Sequence, residues 1–356
     1  MKLLFLTEFF PQDNKLVFTG GVEARVYYIA TLAKQDFDVQ IISSRSRQIP
    51  ATPLSVLTRF VYIFIAFFKA IQADFDLIEA SNVVTYLPAF LAGKLKNKPT
   101  IAWIPDVLGK HWFEFGFFVG IFGLVLEKIA LLLPWNKIIA LSQSTKDKLI
   151  AQGINPQKIS VAKAGIDPKE FKLKPPKKFP QFTIICIARL VNTKRIFDLI
   201  KAFADLTKAQ LIIIGQGPKK NSLKQLVKTL NLQTKVKFLE NLSRPALIKV
   251  LYQSHLFCLP SIVEGFGIVT IEAMAVGLPA VLADIPINRE ITQNGQGSVF
   301  FKPADPHDLA KKISKLMTNK SLYQQKQLQA KKLAPQYTWQ KVYKTTKAIY
   351  ETCLNS

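Results

Sequence analysis

The sequence predicts an α/β protein made of two doubly wound, Rossmann-like domains. Three observations carry that expectation. Short apolar runs alternate with segments of helical period along the chain, a proline- and lysine-rich stretch interrupts the alternation near the middle, and 356 residues exceed what one hydrophobic core usually absorbs. A hydrophobic fraction of 49% with 11% aromatic residues excludes a disordered or collagen-like chain.

In chain order, Leu3 to Leu6, Val39 to Ser43, Leu77 to Ala80, Thr100 to Ile104 and Lys137 to Leu141 read as strands. Gly21 to Lys34 and Gln143 to Gln152 read as helices, the second opened by Ser142 or Ser144 as its cap. The alternation pauses at Lys172 to Pro180, where three prolines and four lysines suit an exposed linker. It resumes with strands at Phe182 to Ile187, Gln210 to Ile214, Lys235 to Leu239, His255 to Pro260 and Pro279 to Leu282. Helices are expected at Arg195 to Leu206, Lys219 to Leu230, Arg244 to Gln253 and Gly267 to Val276.

Two apolar stretches call for separate treatment. The apolar start of the chain breaks at Glu8 with no small-residue cleavage site after it, so it reads as a buried strand rather than a signal peptide. Trp112 to Trp135 contains Glu114, Glu127 and Lys128, and Phe60 to Phe68 lies between Arg59 and Lys69, so neither is expected to span a bilayer core. Both are expected to be buried helices, with a hydrophobic rim touching lipid as the alternative.

Charge and cysteines bound the partners and the compartment. The chain has 48 Lys+Arg against 24 Asp+Glu, a formal net charge of +24, which suits an anionic partner. Residues 1 to 170 carry 19 basic and 14 acidic residues, whereas 171 to 356 carry 29 and 10, so the excess is +5 in the first half and +19 in the second. Many of these lysines have the helical spacing of a solvated face. Cys186, Cys258 and Cys353 are an odd number without CxxC spacing, which supports neither a disulfide framework nor a zinc site and suits a reducing cytoplasm.

Parallel α/β sheets bind ligands beyond the carboxyl ends of their strands, so the strand-to-helix loops are the places to look for chemistry. After the first strand, Thr19-Gly20-Gly21-Val22-Glu23 brings two residues without Cβ to a helix N-terminus, either a turn or an anion cradle. After the Phe182 strand, Arg189 and Lys194 can converge as two cations on a diphosphate. Gly215-Gln216-Gly217 is half of a dinucleotide fingerprint and lacks the third glycine. The segment Pro260 to Pro279 is the most informative: Glu264 sits between a strand end and the glycines Gly265 and Gly267, and a helix follows that carries Glu272. Glycines at a helix start expose N–H groups to an anion or to sugar hydroxyls, and each carboxylate can accept hydroxyls of a polyol. Neither acid has a lysine at i+4 that would make it an ordinary helix pair.

Together these residues resemble the retaining glycosyltransferases of family 4, also called group 1. Glu264 and Glu272 reproduce the family's glutamate pair within its Glu-Gly-Phe-Gly signature, and Arg189 with Lys194 matches its Arg-Leu-Val-x-x-Lys element. Gly20-Gly21 matches the family's N-terminal glycine loop, and Tyr337-Thr-Trp-Gln the crossover before its last helix. The resemblance covers nearly the whole chain. It implies a GT-B architecture, two facing Rossmann-like domains with a ligand cleft between them and a C-terminal helix crossing back. The corresponding division is an acceptor domain over 1–171, a linker over 172–180, a nucleotide-sugar domain over 181–338 and the returning helix over 339–356.

In the terms of that resemblance, Arg189 and Lys194 hold the nucleotide diphosphate and Glu272 the ribose. Glu264, with the N–H groups of Gly265, Phe266, Gly267, Ile268 and Val269, holds the donor sugar, and Gly20 and Gly21 close the donor site. Glu264, Arg189 and Lys194 are the catalytic set, and the two cations stabilise the leaving diphosphate without a metal or other cofactor. Three departures from the family pattern stand out. Pro105 occupies the position where many members have a histidine, although Asp106 is kept and His111 follows as possible acceptor-side residues. Arg195 stands where glycine is usual, and Ile287 lies where a glycine commonly stands nearby. The Asp36-Phe-Asp38 and Asp74-Phe-Asp76 triplets each precede a strand and read as turn residues rather than a metal site.

The expected reaction is transfer of a hexose-type sugar from a nucleotide diphosphate to a hydroxyl with retention. The acceptor would be a lipid-linked or cell-envelope glycan, met from the cytoplasm or the inner face of an anionic membrane. The alternatives are a non-catalytic anion binder on the same fold, for membrane or nucleic acid, or a sugar-nucleotide epimerase or phosphorylase. No nucleic-acid module is present to favour nucleic acid.

Overall fold

The computed structural model describes residues 1–11, 20–45 and 53–355. The chain forms two compact units, one of Met1–Gly165 together with Trp339–Ser356, the other of Ile166–Thr338. In the first unit the elements are β1 (Lys2–Phe9), α1 (Gly21–Ala33), β2 (Asp38–Arg45), α2 (Pro53–Gln72), β3 (Leu77–Ala80), α3 (Val83–Leu95), β4 (Thr100–Ile104), α4 (Phe117–Leu132), β5 (Lys137–Ala140), α5 (Gln143–Ala151) and β6 (Ile159–Val161). In the second they are β7 (Phe182–Ile187), α6 (Ile196–Ala204), β8 (Ala209–Ile214), α7 (Lys220–Thr229), β9 (Val236–Leu239), α8 (Arg244–Gln253), β10 (Leu256–Leu259), α9 (Ile268–Ala275), β11 (Ala280–Ala283), α10 (Pro286–Ile291), β12 (Ser298–Phe301), α11 (Pro306–Thr318) and α12 (Lys320–Leu333). The last helix, α13 (Trp339–Leu354), belongs to the first unit.

Both sheets are six-stranded and parallel, in the orders β2-β1-β3-β4-β5-β6 and β12-β11-β10-β7-β8-β9. Buried strands of this kind carry side chains into a core on each face. In the first sheet Leu4, Leu6, Ile78, Ala80, Ala102, Ile104, Ile138 and Ala140 pack against α2, α3 and α4 through residues such as Tyr62, Ala66, Ala89, Leu126 and Ala130. In the second, Ile184, Cys186, Leu211, Ile213, Cys258 and Val281 meet Leu199, Phe203, Leu309 and Ile313.

Helix α13 is held by charge as well as by packing. Arg25 of α1 and Glu79 of β3 form a fully buried bidentate pair, and the Tyr350 hydroxyl of α13 donates to Glu79 Oε2 at 2.6 Å. Burial works against the Arg25 charge; Glu79 and Tyr350 outweigh it and raise the guanidinium pKa. Trp339 stacks on Tyr28 with ring centroids 5.1 Å apart, and the Tyr343 hydroxyl donates to Asp36 at 2.6 Å.

The unit boundary differs from the sequence expectation. The division falls between Gly165 and Ile166 rather than at 171, and residues 172–180 lie within the second unit instead of joining two domains. The cause is a set of ties that begins before the proline-rich stretch: Ile166 bridges Thr338, Glu170 binds Arg244, and the Phe171 carbonyl accepts from the Tyr252 hydroxyl at 2.6 Å. The two apolar stretches also differ from simple buried helices. Only one side of α2 and one side of α4 enter the core, and their other sides are exposed apolar surface.

The aspartate triplets lie at the amino ends of their strands and are engaged by lysines. Asp36 pairs with Lys347, Asp74 with Lys2 and Asp76 with Lys98. All three cysteines are free and buried, and burial pushes the Cys186 thiol up to about 12 and the Cys353 thiol up to about 11, so neither is a ready nucleophile.

His255 accepts the Thr183 N–H on Nδ1 at 3.0 Å and stacks on Phe182, which requires a neutral ring. Burial, and secondarily the charge of Lys178, lowers its pKa. The folded chain therefore binds this proton at lower pH than the unfolded chain, so the contribution is complete above about pH 6.5 and is lost as pH falls below it. Denaturant titrations at about pH 7.5 and pH 5.5 should show that loss, and His255→Asn, which keeps an acceptor for Thr183, should reduce it.

Candidate active site

In the second sheet the strand order reverses between β7 and β10, which lie side by side although about 70 residues separate them. In a parallel sheet such a reversal is where the loops leaving the carboxyl ends accommodate a ligand. Arg189, Lys194, Glu264, Gly265, Phe266 and Gly267 stand on the loops after these strands, and Ile268, Val269 and Glu272 on α9.

The loop after β7 is fixed by backbone. Ala188 N–H donates to the Ile214 carbonyl at 3.1 Å and Leu190 N–H to the Gln216 carbonyl at 2.7 Å, with Arg189 exposed between them. Gly215 and Gly217 permit this approach, since a Cβ on either would collide with the carbonyl oxygen of Ala188 or Leu190. The Gly-x-Gly element thus positions the arginine loop and does not form a dinucleotide turn. A short 3₁₀ turn over Asn192–Lys194 follows and ends at Arg195, whose φ of 51° lies in the left-handed region. That conformation accounts for a glycine being usual at this position. Arg195 is held by Asp198 at 2.6 Å and lies over the Phe197 ring at 4.7 Å.

Lys194 reaches from this turn to the loop after β10. Its Nζ donates to the Val263 carbonyl at 3.0 Å and to Glu264 Oε1 at 2.5 Å, while Ile262 N–H donates to the Thr193 carbonyl at 2.9 Å. The ammonium has three donors, so the two bonds leave one N–H for a ligand, and the pair is mostly shielded from water. Gly267, at φ 81°, caps α9 in a left-handed conformation and turns the chain into the helix. The first-turn N–H groups of Ile268 and Val269 then have no acceptor within the helix, which suits an anion or hydroxyl oxygen. Phe266 differs from a ligand-facing side chain: it is buried edge-on against Tyr337, at 5.8 Å between centroids, so only its backbone can serve a ligand.

Glu272 is buried on α9 and its Oε1 is paired with Arg244 Nη2 at 2.6 Å; the same guanidinium grips Glu170 at 2.9 and 3.1 Å. Burial disfavours the Arg244 charge, but Glu272 and Glu170 reverse this and raise its pKa. Neither glutamate of the signature is a free acid, as the helix spacing suggested: each is matched by a cation distant in sequence. Within the segment, Glu272 Oε2, Ser261 Oγ and Thr270 Oγ1 are buried without a hydrogen-bond partner among the described residues. Unmet buried polar atoms are costly, and three in one loop and helix start suit a polar ligand. Arg244, Ser261 and Thr270 escaped sequence reasoning, because nothing local links Arg244 to an acid 28 residues further on.

In the first unit, Gly20 caps α1 with extended backbone that any residue adopts; Thr19 lies outside the described residues. Asp106 is bound to Lys148 at 2.6 Å and caps its neighbour Val107, which gives it a local structural role. His111 lies 3.7 Å from Glu114 and is partly exposed. The Pro105 carbonyl accepts from the Thr145 hydroxyl at 3.2 Å. Among the described residues no cluster of three metal-ligating side chains occurs.

Two family models match this chain, "Glycosyl transferases group 1" over residues 167–333 and "Glycosyltransferase Family 4" over residues 19–170. An uncharacterized glycosyltransferase, MJ1607 of Methanocaldococcus jannaschii, is 24% identical over 302 residues, covering 79% of this chain and 76% of its own. The phosphatidylinositol N-acetylglucosaminyltransferase gpi3 subunit of Schizosaccharomyces pombe is 26% identical over 224 residues, 61% of this chain and 49% of that protein, so the match spans about half of the yeast relative. The crystal structure of Anabaena Alr3699/HepE in complex with UDP and glucose matches with a TM-score of 0.75 at 20% identity, covering 99% of this chain and 100% of the other. That likeness establishes the GT-B fold.

Replacing Arg244 by Gln leaves the Glu272 and Glu170 carboxylates without their cation and should lower stability by about 3 kcal/mol, read from urea unfolding. At Arg195, glycine gains about 1 kcal/mol of relieved left-handed strain and loses a similar amount of unfolded-chain entropy. Arg195→Gly and the β-branched Arg195→Val both lose the Asp198 pair, so their difference reads the backbone alone, and Val should be less stable than Gly by about 2 kcal/mol or more in urea unfolding.

Proposed function

Starting from a chain that belongs to glycosyltransferase family 4, group 1, we propose that its second unit binds a nucleotide diphosphate sugar beyond the carboxyl ends of β7 and β10. The transferred group is a hexose-type sugar, and it passes to a hydroxyl acceptor with retention at the anomeric carbon. The observation that carries this reading is the Lys194–Glu264 pair: a cation with a donor to spare lies beside a carboxylate with an oxygen to spare, at a helix N-terminus. A diphosphate and a polyol are the two halves of one ligand that such a pair would accept.

The remaining Lys194 donor and exposed Arg189 take the diphosphate, and the first-turn amides of α9 add two further donors. Glu272 Oε2, unpaired while Arg244 fixes Oε1, accepts a ribose hydroxyl. Glu264 orients hydroxyls of the sugar. As the bond from the anomeric carbon to the diphosphate oxygen breaks, negative charge grows on that oxygen beside the two cations. The acceptor hydroxyl attacks from the same face, and its proton passes to the departing phosphate oxygen, so no side-chain base is needed. The cations supply the charge stabilisation that a metal would otherwise give.

The uridine nucleotide and glucose bound by Alr3699/HepE support a nucleotide-hexose donor. The phosphatidylinositol in the name of the yeast relative supports a lipid-linked or envelope glycan acceptor. Three free buried thiols suit a reducing cytoplasm, with the reaction at the inner face of the membrane.

Nucleotide release from a panel of UDP-, GDP- and ADP-sugars tests the proposal. Lys194→Ala and Glu264→Ala should each lower kcat/KM by about 100-fold, and Glu272→Ala should act mainly through KM for the donor. Turnover should survive EDTA. Absence of release with every donor, or full activity of Lys194→Ala, would overturn the reading.

A further inference from the structure

Helices α2, α3 and α4 touch one another and cover a single face of the first sheet, so their outward sides make one surface. That surface is apolar. On α2, Leu57, Phe60, Val61, Phe64, Ile65 and Phe68 recur at spacings of three and four residues and are between 44% and 61% exposed. On α4, Phe117, Phe118, Ile121, Val125 and Leu132 are between 43% and 83% exposed, and α3 adds Leu91 and Leu95. A helix on a water-facing layer normally places its polar residues outward; here the outward stripes are the aromatic ones.

The exposed charges on these three helices have one sign. The three helices contain a single carboxylate, Glu127, which is buried and accepts the N–H groups of Leu108 and Gly109 at 2.8 and 2.7 Å. Their exposed ionisable groups are Lys69, Lys94 and Lys128; on the adjoining turn Lys110 is exposed, and the half-buried Glu114 lies beside His111. A second copy of the same face would set these lysines against one another. A bilayer with anionic headgroups meets both features, accepting the phenylalanines below the headgroups and the lysines at the phosphates.

We propose that the outer faces of α2 and α4 form a docking surface for an anionic lipid bilayer, on which the helices lie flat. The stretch Ser55–Gln72 is long and apolar enough to cross a membrane, with a mean hydropathy of 1.4. Its inner side is committed elsewhere: Tyr62, Ile63, Ala66 and Ala70 belong to the core, and the Tyr62 hydroxyl donates to the Thr7 carbonyl at 2.7 Å. Lying in the interface keeps that packing, and spanning would break it. The docking rests on this surface alone and not on the sugar-transfer reading.

The experiment is co-sedimentation of the full chain with vesicles of phosphatidylcholine alone or mixed with phosphatidylglycerol, without any sugar donor. The expected result is binding to the anionic vesicles that falls about tenfold or more in Phe64→Glu with Phe118→Glu, and by a similar factor in Lys69→Ala with Lys128→Ala. These side chains are exposed, so unchanged thermal unfolding confirms that each variant is folded. The proposal is overturned if the parent protein stays in the supernatant with anionic vesicles, or if the folded variants bind as the parent does. It is also overturned if sedimentation velocity without lipid shows a dimer that the phenylalanine variant abolishes, which would assign the face to a second copy.

Discussion

The ion pair between Lys194 and Glu264 ties the site together. It crosses from the loop after β7 to the loop after β10, the two strands between which the order of the second sheet reverses. In a parallel sheet all carboxyl ends point the same way, and at such a reversal the helices that follow neighbouring strands go to opposite faces, which is where these sheets take a ligand. Lys194 also holds the Val263 carbonyl, and Ile262 holds Thr193, so the two loops are bridged by side chain and backbone together. The glycines at 215 and 217 press the Arg189 loop toward the same edge, and Gly267 aims the start of α9 at it.

Charge matching recurs inside both units. Arg244 is clasped by Glu170 and Glu272, and Arg25 by Glu79 with the Tyr350 hydroxyl. Such buried pairs add little net stability relative to apolar packing, because desolvation offsets most of the attraction. What they add is geometry, since a partner displaced from its place leaves a buried charge unmatched. In the first unit that fixes α13 against α1 and β3. In the second it fixes one oxygen of Glu272 and leaves the other buried without a partner among the described residues.

Much of the fold was legible because buried parallel strands are short apolar runs and their crossover helices are amphipathic. Strands at 100–104 and 182–187 and the helix at 244–253 fall on the expected residues. Helix α3 was missed, being apolar nearly all round with Pro88 inside it, and so were the three-residue β6 and the small β12. The apolar runs in α2 and α4 were legible as helices, but periodicity cannot tell an inward stripe from an outward one when both are hydrophobic. On α2 the inward side is Tyr62, Ile63, Ala66 and Ala70, and the outward side is the row of phenylalanines.

The sequence by itself determined the α/β class and the two-unit plan and marked Arg189, Lys194, Glu264 and Glu272 as candidates, because glycines, charges and strand ends leave local marks. Only the tertiary structure decided their partners. Lys194 meets an acid 70 residues away and Arg244 one 28 residues away, contacts fixed by strand order and not by spacing. The same holds for the boundary at Gly165, set by hydrogen bonds and a salt bridge made by residues 166–171, and for which face of α2 is covered. Local chemistry is written residue by residue, whereas the pairing of distant charges and the side of a helix that meets the core depend on where the chain returns.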